Sequence, residues 1–129
     1  MENRLPPQNI EAEMSLLGAV MLDQEVWDEV SEIVQEKDFY KPVHRKVFSA
    51  IRELTKLGQP TDLVTISNYF MKTGELEQIG GPAYLTELMD TTPTTANSIA
   101  YAKIVHEKSL VREMIQDRKS TRLNSSHII

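Results

Sequence analysis

The chain has 129 residues, 40% of them hydrophobic, with 14 Lys+Arg against 19 Asp+Glu and a formal net charge of −5. That length suits one domain able to bury a sizeable core, and the absence of Cys excludes disulfides and thiolate metal sites. No apolar run approaches the roughly 20 residues that a membrane span needs, and the first residues lack the apolar centre of a secretory signal; no membrane partner and a cytoplasmic location are expected.

Residues 1–8 read as an extended arm, because Pro6 and Pro7 each push the preceding residue out of the helical region. Asn9 is placed to cap a first helix, with Glu11 and Glu13 in its first turn. Ile10, Met14, Leu17 and Met21 fall on one face, and Leu16, Ala19 and Val20 widen it, so this helix is expected to be largely buried. Gly18 in its middle costs helix propensity and points to a close approach by another backbone. Asp23 opens a second helix whose stripe is Val26, Trp27, Val30, Ile33 and Val34; Trp27 on that stripe reads as packing.

A connector, Asp38-Phe39-Tyr40-Lys41-Pro42, leads to a third helix with Pro42 in its first turn. Its stripe is Val43, Val47, Ala50, Ile51 and Leu54, and Gly58 closes it. A fourth helix, capped by Asp62 or Thr65, turns Ile66, Tyr69 and Phe70 inward and stops at Gly74. Pro82 opens a short fifth helix, and Thr94 or Thr95 caps a sixth through Ile99, Ala102, Val105, Leu110, Val111 and Met114. No segment sustains the period-two alternation of a strand. The fold class is all-α: a head of about five helices (9–90) followed by one long helix (94–116).

That sixth helix has no Gly or Pro to end it before Gln116. An amphipathic helix of this length usually packs against a partner, so it is read as the first half of a truncated αα-hairpin. Val105, Leu110, Val111 and Met114 are the candidate self-association or partner face. From Asp117 to His127 the composition changes, and the run resembles one translated reading frame of a sequencing adapter. Residues 117–129 are accordingly expected to be a non-native, disordered tail. Three of the 14 basic residues and one of the 19 acids lie there, leaving 11 against 18 and a net charge of −7. Such a field disfavours sequence-independent binding to a phosphate backbone.

Residue patterns for catalysis are missing. His44, His106 and His127 share no metal-ligand spacing, and no G-x-x-x-x-G-K-[ST] loop occurs to hold a nucleotide. Pro82 removes a backbone donor after Gly80-Gly81, where a phosphate nest would want one. The carboxylates, Glu75 and Glu77 included, match a solvated surface, and His44 and His106 are placed on wet faces. No catalytic, cofactor-binding or metal-binding residue is assigned, and the chain is read as a non-enzyme. Lys41, His44, Arg45 and Lys46 form the basic cluster, a candidate contact patch for an acidic partner or nucleic acid.

The order of residues carries a resemblance. Pro6-Pro7-Gln8-Asn9-Ile10-Glu11-Ala12-Glu13, Leu17-Gly18-Ala19-Val20-Met21-Leu22-Asp23, Asp38-Phe39-Tyr40 with His44-Arg45, Gly58-Gln59-Pro60-Thr61-Asp62, Gly80-Gly81-Pro82-Ala83-Tyr84-Leu85 and Thr92-Pro93-Thr94-Thr95-Ala96-Asn97 follow one another in register. Over about residues 5–115 the chain resembles the N-terminal domain of bacterial replicative DNA helicases of the DnaB family. The resemblance implies a parent that forms a hexameric ring with paired N-terminal domains and unwinds DNA with ATP and Mg2+ in a motor domain. It further implies docking of the primase DnaG, and DNA contact only through the motor. The motor and the second hairpin helix are absent from this sequence, so the expected role is that of an assembly and partner-docking module in DNA replication. A complete, stand-alone helical adaptor or regulator of primase or helicase is the alternative; an independent small enzyme is a distant third.

Overall fold

A computed structural model describes the backbone of residues 5–128 and the side chains of residues 5–116. The first four residues of the arm and the side chains of the expected tail lie outside the described residues. Residues 5–9 carry no helix, and Asn9 Oδ1 accepts the amide of Ala12 at 2.9 Å to start α1, Ile10–Leu22. The other helices are α2, Trp27–Ile33; α3, Pro42–Lys56; α4, Leu63–Thr73; α5, Gly81–Thr91; and α6, Ser98–Ile128. Short 3-10 turns at Gln24–Val26, Glu36–Asp38 and Thr95–Asn97 join them, and no strand occurs among the described residues.

Helix α1 is the axis of the head. It packs most extensively against α5 and α6 and also against α3. Leu16, Leu17, Ala19 and Val20 are fully buried in consequence. Gly18 is where α5 comes closest: a β-carbon there would overlap the Leu88 carbonyl and the Thr92 hydroxyl. That hydroxyl lies 3.0 Å from the Ser15 carbonyl and 3.1 Å from that of Leu88, so it ties the two helices at their crossing. Around this axis Phe39, Phe48 and Trp27 pack with ring centroids 5.1 and 4.9 Å apart, at tilts suited to aromatic pairs. Ile51, Ile66, Phe70, Ile79, Leu85 and Leu88 complete the core.

The helix ends follow the local chemistry. Asp62 Oδ1 accepts the Thr65 amide at 2.8 Å, which selects Asp62 over Thr65 as the cap of α4. Gly74 closes that helix with φ 78°, a left-handed conformation open to glycine. The second helix departs from its expected course, because Val34 leaves it with φ −120° and ψ 152°. Asp38 causes the break: its Oδ2 accepts the Gln35 amide at 2.9 Å and winds residues 36–38 into a separate turn. Val34 nonetheless stays in the core at 1% exposure. The backbone of α6 runs from Ser98 through Ile128, and no Gly or Pro interrupts it.

Candidate functional site

Helix α6 presents two unlike faces, one packed on the head and one open to solvent. Ala102 and Val105 are buried against the head, as are Ser98 and Ser109. The polar row that continues this face is anchored on residues 37–40. Asp38 Oδ1 accepts the Ser109 hydroxyl at 2.8 Å, and its Oδ2 lies 3.2 Å from His106 Nδ1. Arg112 donates to the Asp38 carbonyl at 2.7 Å and to the Pro7 carbonyl at 2.7 Å, with its guanidinium 5.5 Å from the Tyr40 ring centroid. Lys37 and Glu113 pair at 3.0 Å on the exterior, and that hydrogen bond holds the Lys37 ammonium above the usual lysine range.

At 100° per residue, positions 110, 111, 114 and 115 fall on the side away from that row. Leu110, Val111, Met114 and Ile115 are 45%, 38%, 64% and 43% exposed. Of the four residues expected on a partner face, Leu110, Val111 and Met114 share this outer stripe and Ile115 extends it. Val105 does not belong to it, being 2% exposed in the head interface. Its position in the apolar period is that of Ala102 and Ser109, the head-facing row.

The basic cluster is not a patch of free cations. His44 is fully buried: its Nδ1 lies 2.7 Å from Glu13 Oε1 and its Nε2 2.6 Å from the Tyr84 hydroxyl. Arg45 donates to the carbonyls of Phe39 at 2.8 Å and Tyr40 at 3.2 Å, while Lys46 pairs with Glu75 at 2.8 Å. The Lys41 ammonium sits 5.6 Å from the centre of the Tyr84 ring. The placement of His44 on a wet face is therefore corrected. Its basic neighbours suggested solvent, yet residues 44, 47, 51 and 54 share one helical face, and that period was the signal available.

Glu13 also departs from the solvated surface expected of the carboxylates, being 1% exposed. Its Oε2 accepts the Tyr40 amide at 2.6 Å. Burial, followed by the charges of Glu87 and Glu13, pushes the Tyr84 hydroxyl up to about 12, so it remains a donor at neutral pH. Both ring nitrogens of His44 thus have a hydrogen-bond partner, Nδ1 the Glu13 carboxylate and Nε2 the Tyr84 hydroxyl. Every atom of this triad is engaged in joining α1, α3 and α5, an arrangement suited to holding the head together. Among the described residues no group of three or more His, Cys, Asp or Glu is placed to hold a metal ion.

These features define a helical head mounted on a one-sided long helix. The description of the DnaB-like helicase N terminal domain matches residues 5–107, and the chain belongs to that family. It is 46% identical over 117 residues to the replicative DNA helicase DnaB of Geobacillus stearothermophilus, an alignment covering 91% of this chain and 26% of that protein. The chain spans about a quarter of the length of the curated relatives it matches. The crystal structure of the N-terminal domain of DnaB helicase from Mycobacterium tuberculosis superposes with a TM-score of 0.88 at 38% identity, covering 97% of this chain and 89% of that one. A DnaB-like replicative helicase whose structure was described with its interactions with primase shares the fold at a TM-score of 0.82 and 24% identity, over 92% of this chain and 28% of that one.

Proposed function

We propose that the chain is the assembly and partner-docking module of a replicative DNA helicase and carries out no catalysis itself. The observation that carries this reading is the outer stripe of α6, where Leu110, Val111, Met114 and Ile115 stand in solvent while the opposite face is fixed to the head. A contiguous apolar row on a rigidly held helix is the kind of surface that packs against another helix. In this reading the stripe pairs N-terminal domains within a hexameric ring, and the assembled collar docks the primase DnaG. ATP and Mg2+ serve the motor domain of the parent helicase, and DNA is engaged there, in the cytoplasm. Support comes from the family match and from the relatives, which are replicative helicases.

Sedimentation of the full chain over a range of concentrations tests the assembly role. Association that grows with concentration and is lost in Met114→Glu, without loss of helicity, is the expected result. A chain that stays monomeric throughout, or a variant that associates equally well, would refute it. Nucleotide hydrolysis by the purified chain would refute the non-catalytic assignment.

A further inference from the structure

The N-terminal arm crosses α6 at Arg112 and leaves a cleft of about 840 Å3 between the arm, residues 37–40 and the helix. Lys37, Arg45, Arg112 and Glu113 are its charged lining, three cations against one carboxylate in a chain of net charge −5. Both guanidinium groups are half-buried and bonded to main-chain carbonyls: Arg45 to Phe39 and Tyr40, Arg112 to Pro7 and Asp38. Neither forms an ion pair with a carboxylate among the described residues. The Asp38 carboxylate, 2% exposed, has its oxygens occupied by Gln35, His106 and Ser109. Glu113 pairs with Lys37 where both are open to water, an attachment weak enough for an incoming anion to displace.

The geometry points to this cleft as a docking site for an acidic peptide segment, with Arg45 and Arg112 receiving its carboxylate. Each guanidinium retains N–H groups beyond those already bonded, and its planar fork suits a carboxylate. Leu5 and Pro6 in the same lining offer apolar contact to a neighbouring side chain, with Leu5 69% exposed. The volume lies in the range of ligand clefts, whereas a nucleic-acid backbone would meet the acidic remainder of the chain. The cleft shares one residue, Ile115, with the outer stripe of α6, while its cations Lys37, Arg45 and Arg112 lie outside that stripe and need no self-association.

Amide chemical shifts of the full chain, titrated with a blocked tetrapeptide of sequence leucine-glutamate-glutamate-leucine, test it. Shifts confined to the cleft lining, residues 5–7, 37–40, 45 and 109–116, developing at about 1 mM peptide or below, are expected. Arg112→Gln and Arg45→Gln should each weaken binding about tenfold, as should replacing both glutamates of the peptide by glutamine. Should Arg112→Gln fail to fold, Arg112→Lys keeps the charge but loses the fork and is expected to weaken binding in the same direction. On the unaltered chain, added salt should raise the titration midpoint. Absence of shifts, equal shifts with the glutamine peptide, salt-independent binding, or variants that bind normally would overturn the proposal. Inorganic phosphate moving the same amides at lower concentration than the peptide would overturn its assignment to carboxylates.

Discussion

Helices α1 and α6 both announce themselves through apolar residues at helical spacing, yet the fold uses them in opposite ways. Helix α1 is enclosed by α3, α5 and α6, so even Glu13 and Ser15 are drawn inside. Helix α6 touches the head along one row and leaves Leu110, Val111, Met114 and Ile115 in water. Apolar periodicity thus identifies a helix but says little about how much of its circumference is covered. The deciding residues are the ones that break the pattern: a glycine at the closest crossing in α1, and Ser109 and Arg112 on the anchored side of α6.

The difference can be broken most severely inside α1. Gly18→Val should cost at least about 3 kcal/mol, because its β-carbon would meet the backbone of α5, which cannot move aside as a flexible side chain would. Urea unfolding monitored by circular dichroism measures the loss; a variant of undiminished stability would show that α1 and α5 cross less closely than described here. Next in size is Glu13→Ala, which strips an acceptor from buried His44 and from the Tyr40 amide and should cost about 3 kcal/mol. In a double-mutant cycle with His44→Leu the two losses should fall well short of adding, since both remove the same contact. Additive losses would deny the pairing.

Tyr84 offers a pH test of the same triad. Its hydroxyl ionises at about 12 in the folded chain against 10.0 for an ordinary tyrosine. The folded state therefore holds this proton more tightly, and the stability it contributes is intact below pH 10 and declines as pH rises toward 12. Spectrophotometric titration should show one tyrosine ionising later than the rest, and that late phase should vanish in Tyr84→Phe. The smallest effect belongs to the cap of α4: Asp62→Ala should cost about 1 kcal/mol. The Thr65 amide holds the Asp62 carboxyl below its usual range, so the stability from this cap is present above pH 3.8 and disappears as pH falls through the lowered value. A variant with the same acid unfolding profile as the parent chain would count against it.

The sequence made the helices and most of their ends legible, because caps such as Asn9 and stops such as Gly74 act through neighbouring backbone atoms. Gly18 was legible for the same reason: a small residue amid large apolar ones implies a neighbour at close range. The buried polar contacts were not. Glu13 and His44 are 31 positions apart, and Asp38 and Ser109 are 71 apart, so only the assembled fold brings them together. Each, read alone, looks like a residue for water. Of the residues expected on an open face of α6, Leu110, Val111 and Met114 are exposed, whereas Val105, which shares the helical period of Ala102 and Ser109, is buried against the head.

The two-faced character of α6 can be tested through the absence of Cys in the chain. A single Met114→Cys variant, oxidised at increasing protein concentration, should form covalent dimers readily, while Lys72→Cys on the exposed side of α4 should remain mostly uncrosslinked. Equal or slower dimer formation at position 114 would contradict the claim that this stripe is where the chain meets its partner.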